Sequence, residues 1–214
     1  MMKKAFSLVE LSIVLIIIGL LVAGVSTGSK LIKNAKLQKF ITELQGTKNS
    51  VNIFKITYDA LPGDFSEASS FWSGASDGNN NNIIDANERD KAWSHLASSE
   101  IYLAPTPPSL GVVPTDTYPE INKRIIYIET AFGGYFVAER HTLQIGTDVN
   151  TNSKAFVPRD VYLVDKKIDD GLPKAGDVTF RIYNDSTDAS CTNTSTSYYL
   201  SSSDTGCIMV YAWD

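Results

Sequence analysis

Five oxygen-bearing side chains within twelve residues form the clearest chemical pattern in the chain. Asp77, Asn79, Asn81, Asp85 and Glu88 occupy the first, third, fifth, ninth and twelfth positions of the stretch 77–88, the order in which an EF-hand-type loop sets out its ligands. The backbone carbonyl of Ile83 fills the seventh position, Ile84 is the apolar anchor, and Glu88 offers a bidentate carboxylate. Calcium takes six to eight hard oxygens, and this spacing wraps them around one point. The sixth position, usually Gly, holds Asn82, and Asn is the next residue best able to adopt positive φ. A helix is expected to leave the loop, with Trp93, Leu96, Ala97 and Ile101 on one face, and no comparable helix enters it. The pattern predicts an isolated Ca²⁺ loop of extracellular-grade affinity, about 10⁻⁴–10⁻³ M, because few of its ligands are charged. A solvated Asn-rich turn is the competing reading.

Other reactive residues are sparse. Cys191 and Cys207 are the two cysteines. In an exported domain the economical reading is one intrachain disulfide, closing a loop of about 15 residues and contributing roughly 3 kcal/mol in the chain-entropy model; two free thiols are the alternative. No C-x-x-C metal spacing occurs. Asp165, Asp169 and Asp170 gather in an Asp-Asp-Gly turn, read as turn caps, with a second cation site as the alternative. His95 and His141 are the only histidines, and neither has a Ser or Cys in a nucleophile setting. With no phosphate loop, nucleophile elbow or zinc pair, no enzyme activity is expected.

The elements that must position these groups begin with an asymmetric N-terminus. The chain has 214 residues, 43% of them hydrophobic and 20% charged, enough for one globular domain plus an appendage. A net charge of −5 gives no general footprint for nucleic acid, so such a partner is not expected. Residues 6–25 are almost wholly apolar, interrupted only by Ser7, Glu10, Ser12, Gly19 and Gly24. About 20 residues at 1.5 Å each suffice to cross a bilayer core of about 30 Å. The run exceeds a signal-peptide core, which predicts a retained anchor. Glu10 is out of place there, because an acid within such a segment costs on the order of 2.5–3.5 kcal/mol. Either it lies shallow enough to reach the headgroups, or a cation from another chain compensates it.

Lys3-Lys4-Ala5-Phe6-Ser7-Leu8-Val9-Glu10, followed by that apolar run, resembles the N-terminus of type IV prepilins and type II secretion pseudopilins. The resemblance implies cleavage of the Ala5–Phe6 bond by a prepilin peptidase, with Ala5 standing where the family usually has Gly, and N-methylation of Phe6. It also implies that Glu10 neutralises the α-amine of a neighbouring subunit, a pairing in which each charge relieves the other's desolvation. It further implies an inner-membrane assembly platform as partner, a bacterial inner-membrane location with the head outside the cytoplasm, and later a periplasmic or extracellular filament. Lys30, Lys33, Lys36 and Lys39 would argue for the opposite orientation by charge alone; the resemblance and the cysteines favour the external head.

Beyond the anchor, Leu37, Phe40, Ile41, Leu44, Val51, Phe54 and Tyr58 recur at helical spacing, broken once at Thr47 and Lys48. One long helix is therefore expected from about Phe6 to Tyr58, ended by Leu61-Pro62-Gly63-Asp64. Strands are expected at 125–128 and 135–137 around Gly133-Gly134, at 178–182 and at 207–213, with a helix over 158–168. The stretch 184–206, mostly enclosed by the cysteines, is similar to the disulfide-bounded loop of type IV pilins. The expected class is α+β, a pilin-like fold with a long N-terminal helix packed on a small antiparallel sheet. Its segments are a leader 1–5, an assembly helix 6–28, an amphipathic half 29–60 and a head 61–214. The expected role is a structural filament subunit; a membrane-tethered calcium-binding protein or hydrolase that never assembles is the alternative.

Overall fold

A computed structural model describes residues 7–102, 125–131, 140–146, 156–181, 191–194, 196–204 and 206–213. The chain divides into two compact units, Met1–Phe40 and Ile41–Asp214. Helix α1 runs Leu8–Tyr58, unbroken because no Pro falls within it.

In the first unit the apolar side chains of α1 from Leu8 to Val25 stay uncovered: Leu8, Leu20 and Val25 are all more than two-thirds exposed. Among the described residues α1 is the one helix long and apolar enough to cross a membrane. Three of its hydroxyls are satisfied within the helix, Ser12 donating to the Val9 carbonyl, Thr27 to Ala23 and Ser29 to Ser26. Such internal pairing is what a lipid-facing helix requires.

In the second unit Ile41, Leu44, Val51 and Phe54 of the expected stripe are buried. Thr47 is also fully buried, at no polar cost, because its hydroxyl donates to the Glu43 carbonyl at 2.9 Å. Lys48 lies over the Tyr211 ring, 5.3 Å from its centroid. The helix ends at Asp59, φ +53, followed by a turn in which the Asp64 N–H donates to the Leu61 carbonyl. Gly63 is obligatory there: its φ is +93, and a Cβ would lie 2.6 Å from the Glu88 carbonyl oxygen.

Short helix α2 (Ala68–Phe71) precedes the Asn-rich loop and α3 (Arg89–Ser98) follows it. Strands β1 (Ile125–Ala131), β2 (Arg140–Gly146), β3 (Val178–Arg181) and β6 (Ile208–Trp213) form one antiparallel sheet in the order β1-β2-β6-β3. The partner of β1 is therefore Arg140–Gly146, with Ala131 opposite Arg140; the segment 135–137 and its glycines lie outside the described residues. β6 has neighbours on both sides and buries all six of its residues, as a central strand should. Helix α4 (Pro158–Ile168) starts on its Pro and packs on β3. β4 (Thr192–Thr194) and β5 (Ser197–Tyr198) make a small second sheet. The Cys191–Cys207 disulfide is formed, and Cys207 exchanges backbone hydrogen bonds with Phe156. An α+β fold with a long N-terminal helix and a small antiparallel sheet is thus observed.

Candidate functional site

Two places concentrate the groups singled out by the sequence. At the start of α1, the Ser7 hydroxyl accepts from the Val9 N–H at 3.3 Å, and Glu10 Oε2 accepts from the Ser7 N–H at 2.9 Å. This is a variant of the Ser-x-x-Glu capping box in which the Ser7 hydroxyl takes the N–H of Val9 and not that of Glu10, and it satisfies two otherwise orphaned donors. Glu10 is exposed, on an apolar helix. Ala5 and Phe6 lie outside the described residues.

The second place is the loop 77–88. Its organising carboxylate is Asp64, from the turn that ends α1. Asp64 is 1% exposed; its Oδ1 accepts from the Asn81 N–H at 2.9 Å and its Oδ2 from the Asn82 N–H at 2.7 Å. The Asn80 N–H donates to the Asp64 carbonyl and the Gly78 N–H to that of Phe65. Gly78 passes so close to the Asp64 backbone that a Cβ there would collide with it. Asn80 and Asn82 have φ of +56 and +64, so Asn82 adopts the positive φ expected of its position.

Glu88 closes the loop from the other end. It is 2% exposed, and its oxygens accept from the Asn79 N–H at 2.9 Å and the Asp85 N–H at 3.3 Å. Burial raises its pKa above the ordinary carboxylate value, and the neighbouring Asp85 and Asp64 push the same way. The Asn79, Asn81 and Asp85 side chains each accept from the N–H two residues on, those of Asn81, Ile83 and Asn87. Ile84 is fully buried as the apolar anchor. Asp77 is turned elsewhere: its two oxygens accept from the N–H and hydroxyl of Ser69 at 2.7 and 2.9 Å, bonds that lower its pKa. The structure thus brings Asn79, Asn81, Asp85 and Glu88 into one loop around Asp64 and sets the Asp77 carboxylate outside it.

His95, expected to be structural or solvated, is fully buried beneath this loop. Its Nδ1 accepts from the Gly63 N–H and its Nε2 faces the Ser76 carbonyl, both at 2.9 Å. Neither the part of Asp64 nor that of His95 shows in a reading of contiguous motifs. The available signal was an acid placed directly after Leu-Pro-Gly, where a turn alone needs none.

Asp165, Asp169 and Asp170 have oxygens within 4.8 Å of one another. Each already accepts a backbone donor, from Gly171, from Asp177 and Val178, and from Leu172 respectively, which is the turn-capping arrangement. Asp165 also accepts from the Tyr198 hydroxyl at 2.7 Å. Burial, ahead of the neighbouring acids, pushes the Asp165 carboxyl up to about 7.

No protein-family model, curated protein or solved structure matches this chain.

Proposed function

We propose that this chain is a structural subunit of a type IV pilus-like or type II secretion filament, matured by a prepilin peptidase at the Ala5–Phe6 bond and N-methylated on Phe6. One observation carries the reading: the uncovered, apolar first turns of α1 bear a single carboxylate, Glu10. The apolar surface calls first for lipid and then, in a polymer, for the same helix of neighbouring subunits. The carboxylate calls for a cation, and in the polymer the α-amine of the adjacent subunit's Phe6 supplies it, fixing the axial register. A disulfide in the head fits an oxidising compartment outside the cytoplasm. The test is intact-mass analysis of the native protein. Loss of residues 1–5 with gain of one methyl is expected; a chain still beginning at Met1 and unmethylated overturns the reading.

The head, on this reading, carries a calcium loop. The residues that would hold the ion are Asp64, Asn79, Asn81, the Ile83 carbonyl, Asp85 and Glu88. The fit rests on donor chemistry: every one is a hard oxygen, and no nitrogen or sulfur donor competes. Asp64 and Glu88 are buried near Asp85, their oxygens already accepting backbone N–H donors; a divalent cation on the remaining lone pairs would offset their charge. The ion would stiffen the turn after α1 and do no chemistry.

A further inference from the structure

We propose that His95 is an acid-operated latch, which as a neutral imidazole clasps the turn 61–64 and the loop 76–82 to α3, and on protonation lets them go. The proposal stands apart from the filament reading and does not depend on calcium.

The geometry admits a single state of the ring. Gly63 offers an N–H to Nδ1 at 2.9 Å, so Nδ1 carries the lone pair and the proton sits on Nε2, which donates to the Ser76 carbonyl at 2.9 Å. Both nitrogens are committed, and His95 is fully buried. A proton added at Nδ1 sets N–H against N–H, and the bond to Gly63 is lost.

The surroundings give an added proton nowhere to share its charge. Phe54 of α1 stacks on the imidazole at 6.1 Å, and Phe65 and Trp72 close the box at 6.4 and 6.1 Å. The charged groups that face it are Asp77, from the loop, and Lys91, one turn earlier on α3. Asp77 favours the imidazolium, but its oxygens are engaged by Ser69; Lys91 opposes it. Burial is the largest influence, and it holds the His95 pKa below the usual imidazole value. The sign follows directly. With the folded value below the unfolded one, the latch contributes fully above the ordinary imidazole range and is lost as pH falls through it.

The turn has no slack to absorb that loss. Gly63 sits so close to the start of α3 that a Cβ on it would lie 2.6 Å from the Glu88 carbonyl oxygen and 3.1 Å from the Ala92 backbone nitrogen, and on this proposal the closely packed 61–64 turn leaves as a unit. The contacts that depend on it go too, namely Gly78 N–H on Phe65 and Asn80 N–H on Asp64. Mild acid therefore loosens the exit of α1 and the Asn-rich loop together, while the sheet stays intact.

The full chain in detergent micelles, free of calcium, provides the test. Imidazole ¹H–¹⁵N spectra, assigned with His141→Gln, are expected to show His95 as the Nε2–H tautomer at about pH 7.5. From about pH 7 to pH 5, exchange protection at the Gly63, Gly78 and Asn80 amides, corrected for intrinsic rate, is expected to fall by about tenfold or more, while β6 amides keep theirs. In His95→Gln the pH dependence at these amides disappears. Unchanged Gly63 protection across that range, or an Nδ1–H tautomer at neutral pH, overturns the proposal. If His95→Gln does not fold, the wild-type spectra and exchange rates still decide.

Discussion

The Ser7 N–H donates to the Glu10 carboxylate at 2.9 Å, so the acid that sits oddly in an apolar helix also caps that helix. The two roles separate chemically. A cap needs an acceptor and tolerates Gln, whereas neutralising a neighbour's amine needs the charge. Glu10→Gln is therefore expected to leave membrane insertion and head stability unchanged but to abolish assembly, scored by cross-linking and by filament yield. Normal filaments from Glu10→Gln would reduce Glu10 to a cap.

Calcium at ten times its dissociation constant should stabilise the head by about 1.4 kcal/mol if it binds only the folded form. Millimolar Ca²⁺ is expected to raise the melting temperature of the wild type and of Asp77→Asn, but not of Asp64→Asn or Glu88→Gln. The contrast between the two aspartates matters most. A response lost in Asp77→Asn and kept in Asp64→Asn would restore the contiguous loop as the ligand set.

Tyr198 lies between the disulfide cysteines and holds the buried Asp165 of α4 through its hydroxyl. Tyr198→Phe removes a donor from a buried carboxylate and should cost about 1–3 kcal/mol by urea unfolding. The pH dependence has a definite sign. The folded Asp165 value, about 7, lies above the ordinary 3.8, so ionisation is penalised in the fold and stability falls as pH rises through that interval. Asp165→Asn is expected to flatten this slope. His95 tilts stability the opposite way, so the two contributions are separated only by comparing the variants.

Gly63→Ala should be among the most damaging small substitutions. It places a Cβ against the Glu88 carbonyl and forces a non-glycine residue to φ +93, costs of order 1–3 kcal/mol from the backbone alone. The check is thermal melting beside Gly46→Ala, where an added Cβ meets nothing within 4 Å and the helix gains up to about 1 kcal/mol.

Breaking the Cys191–Cys207 bond by paired Ser substitution is expected to cost about 2–4 kcal/mol. The loss should register first as faster exchange at the Tyr199 amide, which donates to the Cys191 carbonyl.

What the sequence made legible was local. The long helix, its end shortly ahead of Pro62 and Gly63, the Pro158–Ile168 helix and the positive φ at Asn82 each follow from residue types within a few positions. Ser7-Leu8-Val9-Glu10 also carried a readable cap, obscured by the stronger puzzle of an acid in an apolar segment. Less legible was whatever depends on chain segments meeting in space. The partner strand of β1 starts beyond the Gly133-Gly134 signal that suggested a tighter hairpin. Asp64 lies 13 residues ahead of Asp77, and a pattern that counts contiguous positions has no place for it. His95 looked inert because its partners, Gly63 and Ser76, offer only backbone atoms, which leave no mark in a sequence.

The sheet order has a consequence for how the head is made. β6 comes last among the described strands, yet it lies between β2 and β3, which have no hydrogen bonds to each other. As the polypeptide is synthesised, the β1–β2 hairpin and β3 appear well before the segment that joins them. Until residues 208–213 arrive, each presents a bare edge open to mispairing. The head is therefore a late-closing structure, and its nascent form is the stage at which a chaperone has most to protect.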